Sequence, residues 1–206
     1  FTGTGAFVWA GNNRTSYIVG QWWGVLQDGS TDDAAAMNVA LLAANGRVPV
    51  QVLPGDLAFA SVLNIPADTT LKGSGVFTTT LRYTSTTGNA LSINGRNVTI
   101  QDVEVYAPNI STGVGILGMV SNVVLGDLRL ERFYVSGFNI GIQWNTINSV
   151  ISHGRVSVRD GTDASKSVVN TAGIEIIVNA GNGATSSSVT ITDVFTAGGF
   201  TGILTT

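Results

Sequence analysis

The sequence lacks cysteine, contains one histidine and is poor in charge. Only 11% of its 206 residues are charged, and the net charge is −3. Without cysteine there are no disulfides and no thiolate metal sites, and His153 alone excludes a site built from several histidines. No basic run is present, which argues against nucleic acid and anionic membranes as partners. No apolar stretch reaches the length of a membrane span, so we expect no membrane insertion. We predict no metal site and no cofactor.

Glycine, in contrast, is abundant, with 26 residues. Together with many Ser, Thr and Asn residues, it suits tight turns between stacked strands better than it suits helices. The rest of the sequence from residue 48 onward reads as short apolar strands separated by such turns. The chain therefore belongs to the all-β class, with one exception near its start.

The exception is a helix at about residues 31–44. Ser30 or Thr31 is placed to cap it, and two carboxylates, Asp32 and Asp33, would lie in its first turn. Apolar residues then recur at helical spacing and form one stripe, made of Met37, Ala40, Leu41 and Ala44. Because its body carries almost no charge, this helix needs an apolar surface to lie on. We expect it to cap the end of a stack of strands.

An internal repeat with a period near 25 residues begins at about residue 97. Ile100, Leu125 and Ile151 occupy equivalent positions, and Ile191 follows only after an expected insertion within residues 161–188. Short strands that return at such a period are typical of a parallel β-helix, in which successive turns stack about 4.8 Å apart.

The alternation of apolar residues slips once in each repeat. Val98 and Ile100 point inward, and then Val103 and Val105 do, so the residues between them must form a corner. Stacking the repeats predicts three outward rows. They are a corner row of Asp102, Asp127, His153 and Asp193, a next row of Glu104, Arg129, Arg155 and Phe195, and a third row with Tyr106 and Glu131.

Three motifs near the start resemble those of the pectate-lyase-like right-handed β-helix superfamily. They are GVLQDGSTDDAAAMNVALLAA at residues 24–44, VQVLPGDLAFAS at residues 50–61 and NIPADTTLKGSG at residues 64–75. Gln27 replaces the first glycine of the usual Gly-Asp-Gly turn, and Pro54 stands alone where relatives carry two prolines. The resemblance covers about residues 22–82. Its motifs belong to the scaffold of the fold and say much less about activity.

The resemblance implies an all-β fold, a right-handed parallel β-helix with one N-terminal capping α-helix. We expect residues 1–20 to be an N-terminal linker and residues 21–206 to be the β-helix, incomplete at its C-terminal end. Many relatives with this opening are phage tailspikes, and others are secreted polysaccharide lyases and hydrolases.

Three functions remain open from the sequence. The first is a phage tailspike, a receptor-binding virion protein that binds, and in one version degrades, host surface polysaccharide. The second is a secreted bacterial polysaccharide lyase or glycoside hydrolase, and the third is a non-catalytic structural or adhesive spike. The first implies bacterial surface polysaccharide, a homotrimer, and phage tail or baseplate proteins bound through an upstream part as partners.

Candidate site residues come from the predicted rows. Carboxyl groups about one strand apart suit a retaining glycosidase, and wider pairs suit an inverting one. If the protein is a hydrolase, the catalytic candidates for acid and base are Asp102, Asp127 and Glu131, with Glu175 as a reserve. Glu175 and Asp163 form a second candidate site in the expected insertion. Substrate-binding candidates are Glu104, Tyr106, Arg129, His153 and Arg155. The alternatives are structural, since a corner Asp often bonds its own backbone and Glu104 beside Arg129 would form a surface ion pair.

Overall fold

The computed structural model describes residues 17–118, 125–157, 172–177, 188–197 and 201–205. No helix in these ranges is long and apolar enough to cross a membrane. The elements are a short 3-10 turn at Gly20–Trp23, the helix α1 at Ala34–Ala44, and the strands β1 Ile18–Val19, β2 Val50–Gln51, β3 Gly55–Phe59, β4 Leu63–Ile65, β5 Thr70–Lys72, β6 Thr79–Tyr83, β7 Leu91–Ile93, β8 Val98–Gly118, β9 Leu125–Gly126, β10 Leu128–Trp144, β11 Thr146–Ile147, β12 Ser149–Ser157, β13 Ala172–Ile176, β14 Val189–Ala197 and β15 Thr201–Thr205.

The strands pair in parallel and wrap into three faces of one stack. The first face runs β1-β2-β5-β8-β10-β12-β14. The second face joins β3 and β6 to later parts of β8, β10, β12 and β14, because these long strands bend around a corner. The third joins β4, β7, β8, β10, β13 and β15. The fold is a right-handed parallel β-helix, as the sequence predicted.

Apolar side chains at equivalent positions of successive turns stack into ladders inside the coil. Each side chain covers the one below it, so removing one buried Leu or Ile would leave a cavity and cost about 2–5 kcal/mol. The ladder of the first face is Val50, Leu71, Ile100, Leu130 and Ile151, and that of the second is Leu57, Leu81, Val105, Val135 and Val156. All ten side chains are buried.

Helix α1 closes the N-terminal end of this core. Its predicted stripe is confirmed, because Met37, Ala40, Leu41 and Ala44 are buried. The helix begins at Ala34, three residues later than predicted, and neither Ser30 nor Thr31 caps it. Both residues instead donate hydrogen bonds to the Asp28 carboxylate. These bonds, led by the backbone N–H of Thr31, hold the pKa of Asp28 well below its ordinary value.

Asp33 ties the turn before the helix to the cap. Its side chain is only 2% exposed. Its two oxygens accept hydrogen bonds from the backbone N–H groups of Leu26 at 2.9 Å and Gln27 at 2.8 Å. Asp33 therefore holds the loop at Leu26 and Gln27 against the start of the helix, and it precedes the first helical turn.

The register of the repeat differs from the predicted one. Ile100 pairs with Leu130, and Leu130 pairs with Ile151, so the prediction that Leu125 continues this ladder is wrong. Leu125 lies in β9 and pairs with Thr146 of β11. Both registers keep apolar residues at alternating positions, so alternation alone cannot choose between them.

Candidate functional site

The corner between the first and second faces carries a row of four side chains on left-handed backbone. They are Asp102, Arg132, His153 and Asp193, with φ between 46° and 61°. Their neighbours pair as Gln101–Glu131–Ser152–Thr192, which places the four in one row. The corner predicted at Asp102 is confirmed. The prediction that Asp127 belongs to this row is wrong, because Arg132 takes that position.

Asp127 lies at a different corner, which precedes the first face. It stacks there with Asp68, Asn97 and Asn148, which also have positive φ. Asp and Asn tolerate this backbone conformation better than other residues with a side chain. Asn97 Nδ2 donates to Asp68 Oδ1 at 3.0 Å, as expected of a structural ladder. Asp102 and Asp127 therefore do not form a pair of neighbouring carboxylates.

Two of the predicted catalytic carboxylates are bound by arginine. Arg132 binds Asp102 through one edge of its guanidinium, with Nε donating to Oδ1 at 2.6 Å and Nη2 donating to Oδ2 at 3.0 Å. This bond raises the pKa of Arg132 above its ordinary value. Glu131 contacts Arg129 at 3.0 Å and Arg132 at 3.4 Å. Both carboxylates are thus neutralised by arginine, which is typical of structural ion pairs at a surface corner.

The outward row next to this corner combines carboxylate, hydroxyl, aromatic and guanidinium groups. We call it the outer row, and by strand register it consists of Asp56, Thr80, Glu104, Tyr134, Arg155 and Phe195. The predicted sharing of one row by Glu104, Arg155 and Phe195 is confirmed. Arg129 was wrongly placed in it, because the register error put Arg129 where Tyr134 stands.

Aromatic rings and one guanidinium lie next to one another in a continuous cluster at this row. The guanidinium of Arg155 lies 5.6 Å from the ring centre of Tyr134 and 5.4 Å from that of Phe195. Phe77, in the turn before β6, places its ring 5.3 Å from that of Tyr134. Since β8 lies between β6 and β10, this contact spans the strand that carries Glu104.

Phe77 escaped the sequence reasoning. Its side chain is 68% exposed, and its backbone has φ 64°, a conformation that costs a bulky residue about 1–2 kcal/mol. The signal in the sequence is a large aromatic residue just after a Gly-rich turn. The left-handed backbone and the contact with Tyr134 are visible only in the structure.

Glu104 is the half-buried acid of the outer row. Burial raises the pKa of its carboxyl above the ordinary value of 4.5, and the nearby charge of Asp56 adds to this. A hydrogen bond donated by the Thr80 hydroxyl at 2.8 Å acts in the opposite direction. The predicted ion pair between Glu104 and Arg129 is wrong. Asp56 itself pairs with Arg82 at 2.7 Å.

The remaining predicted residues are spread over the surface. Tyr106 lies two positions beyond Glu104 and pairs with Arg82 and Ser136, so its predicted row with Glu131 is wrong. His153 contacts Asp193 at 3.4 Å in the corner row.

Glu175 stands on another side of the stack. It lies on β13 of the third face, where Gln143 Nε2 donates to its Oε2 at 2.7 Å. It is therefore part of a regular strand and not of an inserted loop. Asp163 lies outside the described residues.

Comparison with known proteins places the chain in a family. The model of the family described as rhamnogalacturonase A/epimerase, pectate lyase-like, matches residues 21–206, so the chain belongs to that family. No curated protein matches it at a significant level.

Solved structures share the fold at low sequence identity. ORF18 of Geobacillus virus E2 is 18% identical with a TM-score of 0.62, over 87% of this chain and 35% of that one. The A-module of the Azotobacter vinelandii mannuronan C-5 epimerase AlgE6 is 16% identical with a TM-score of 0.59, over 90% and 58%. The Agl-KA catalytic domain is 13% identical with a TM-score of 0.55, over 94% and 45%. The chain thus spans between about a third and three fifths of the length of these three chains.

Proposed function

We propose that this family member is the β-helix of a phage tailspike that binds bacterial surface polysaccharide along the outer row. The observation that carries the proposal is the surface cluster of Phe77, Tyr134, Arg155 and Phe195, of which only Tyr134 is half-buried and the others are exposed. A polymer lying along the stack axis would meet these groups one after another, since neighbouring strands are about 4.8 Å apart. Aromatic faces can stack on the apolar faces of sugar rings, and the guanidinium can donate to their oxygens.

The backbone at Phe77 supports a binding role. An aromatic side chain there is strained and mostly exposed, so the fold gains little from it. Strained residues are retained where function requires them. The ring pair with Tyr134 returns about 0.5–1.5 kcal/mol, which roughly offsets the strain. Phe77 is thus close to neutral for stability, and binding a ligand supplies the missing reason for its presence.

The virion assignment rests on the sequence resemblance to tailspikes. A viral protein among the chains that share the fold is in keeping with it. We further propose a homotrimer, with tail or baseplate proteins bound through an upstream part of the parent protein. Light scattering of the full-length protein at micromolar concentration should give three times the chain mass, and a monomer mass would contradict the trimer.

Hydrolysis is the second candidate activity, favoured by the position of Glu104. Its raised pKa would let it hold a proton to donate to a glycosidic oxygen. Asp56 lies two strands away in the same row, at a backbone spacing of about 9.5 Å, near the upper limit for the carboxyl pair of an inverting glycosidase. Arg82 holds the Asp56 carboxylate at 2.7 Å, as arginines hold Asp102 and Glu131, so the base of such a reaction is not assigned to Asp56. The alternative to an enzymatic tailspike is a secreted lyase or hydrolase that uses the same site.

Binding is tested by Phe77→Asn in the full-length protein. Asn accepts the left-handed backbone, so we expect the free energy of unfolding to stay within about 1 kcal/mol and glycan affinity to fall about tenfold. Leu42→Asn is the matched control. Its side chain is 67% exposed but lies on the cap helix, away from the outer row, so affinity should not change. Equal effects of the two variants would refute the proposed surface.

Cleavage is followed separately, by reducing ends and polymer length after incubation with capsule or lipopolysaccharide. Reducing ends that disappear in Glu104→Gln would support hydrolysis. An unsaturated product that absorbs in the ultraviolet would indicate a lyase. Binding without any product would leave the adhesive function.

A further inference from the structure

The outward side of the cap helix is left uncovered by the described part of the chain. Helix α1 carries no charged residue, and its sequence AAAMNVALLAA is apolar at every position except Asn38. One side lies on the core, but on the other side the side chain of Val39 is 50% exposed and that of Leu42 is 67% exposed. A helix that is apolar all round is normally buried on all sides. The exposed side therefore indicates a docking surface, which we call the cap face and define by its four exposed residues, Ala35, Val39, Leu42 and Ala43.

The sequence of this chain contains a matching apolar segment shortly before the described residues. Residues 6–10 read AFVWA, which is five consecutive apolar residues, and Arg14 is the only charged side chain among residues 1–16. A run of this kind is unfavourable at a surface unless another apolar surface covers it. Contact between this run and the cap face would remove both from water without burying a charge.

The first described residues lie in a suitable place for this contact. The backbone N–H of Ile18 donates to the carbonyl oxygen of Pro49 at 2.9 Å, and Pro49 follows the last residue of α1 by five positions. Strand β1 also packs against α1. Tyr17 is exposed, so the preceding residues leave from the surface beside the segment that follows the helix. Residues 11–17 can span up to about 24 Å, whereas the helix is about 17 Å long, so residues 6–10 can reach the whole cap face.

We propose that residues 6–10 bind the cap face of their own chain. Phe7 and Trp9 would contact Val39 and Leu42, since alternate side chains of an extended segment point to the same side. A short tether holds the two surfaces at an effective concentration on the order of mM, so at micromolar protein the contact within one chain outcompetes a second copy. These residues then form a second layer of the cap and are not a linker. The inference does not depend on glycan binding.

Hydrogen exchange of the full-length protein tests the contact, with mass spectrometry of the peptide that contains residues 6–10. We expect its amides to exchange at least tenfold more slowly than those of the same peptide free in solution. Leu42→Asn should raise the exchange rate about tenfold, because the burial of one Leu side chain changes a docking equilibrium by about this factor or more. Phe77→Asn is the matched control, since that side chain is 68% exposed but contacts Tyr134 of the outer row, and it should leave the rate unchanged.

A cysteine pair identifies the occupant of the cap face, because the chain has no cysteine of its own. Ala10→Cys, at the end of the apolar run, is combined with Ala43→Cys on the cap face. A short thiol cross-linker is added, and the products are separated by mass under denaturing conditions. We expect a cross-link within one chain, at the mass of the monomer. Ala10→Cys combined with Thr112→Cys, an exposed position on β8, is the control pair and should give no such product.

Each other outcome overturns the proposal. Cross-linked dimers would assign the cap face to a second copy of the chain. Exchange of residues 6–10 at the free rate in the wild type would show that they bind no surface. Slow exchange that persists in Leu42→Asn would mean that a different surface covers them. If Leu42→Asn also speeds exchange within α1, Trp9→Ser decides, because it leaves the helix intact and should raise the exchange rate of residues 6–10 about tenfold; an unchanged rate would refute the contact.

Discussion

Replacing Asp33 with Asn should loosen the capped end of the β-helix. The carboxylate is buried and accepts two backbone hydrogen bonds, from Leu26 and Gln27. Hydrogen bonds to a charged group contribute about 1.5–3 kcal/mol each. Asn keeps one acceptor oxygen but turns an NH2 group toward the other N–H, so one bond is lost and one becomes neutral. We expect the free energy of unfolding to fall by about 2–4 kcal/mol.

The assay has a global and a local part, because a stack of repeats can open at one end while the rest stays folded. Urea unfolding followed by circular dichroism measures the global loss. Hydrogen exchange at the amides of Leu26 and Gln27 reports the local opening and should become faster by the corresponding factor.

Asp68→Asn is the control for this substitution. Asp68 is exposed and accepts one hydrogen bond, from Asn97, and its left-handed backbone suits Asn. Its effect should stay within about 0.5 kcal/mol. A loss below 1 kcal/mol in Asp33→Asn, with unchanged exchange at Leu26 and Gln27, would refute the role of Asp33 as the fastening of the cap.

Three further outcomes are expected. Asp102→Asn keeps a residue suited to the left-handed corner and removes only the pair with Arg132, so urea unfolding should show a loss of at most about 1 kcal/mol; a larger loss would mean that the corner depends on this pair. The pKa of Glu104 is raised in the folded state above its ordinary value of 4.5. The carboxyl group therefore contributes to stability below pH 4.5, and this contribution is lost as the pH rises through the folded-state pKa. Glu104→Gln should remove this fall from the pH dependence of the free energy of unfolding, and an unchanged profile would contradict the prediction. Gly113→Ala would place a methyl group 1.7 Å from the carbonyl oxygen of Gly88, so we expect about 3 kcal/mol of destabilisation in a thermal melt, and an unchanged melting temperature would refute this close packing.

The position of the candidate site could be predicted only in part. Alternation between Val98 and Val105 located the corner at Asp102 and the outward direction of Glu104, because each depends on a few adjacent residues. Arg155 and Phe195 were correctly placed in the row of Glu104, since their strands carry the same local pattern. Tyr134 and Phe77 were missed. Tyr134 was displaced by the register error, and Phe77 reaches it across a whole strand.

The sequence by itself determined the fold class, the cap helix and the inward direction of the apolar residues within each strand, because alternation and helical spacing are local and the motifs at residues 24–75 are specific to the scaffold. The tertiary structure alone decided the register of the turns. The step from Ile100 to Leu130 is 30 residues and the step from Leu130 to Ile151 is 21, and both satisfy the same alternation. Register depends on how stacked side chains and left-handed corners fit between turns, and that fit exists only once the coil has closed.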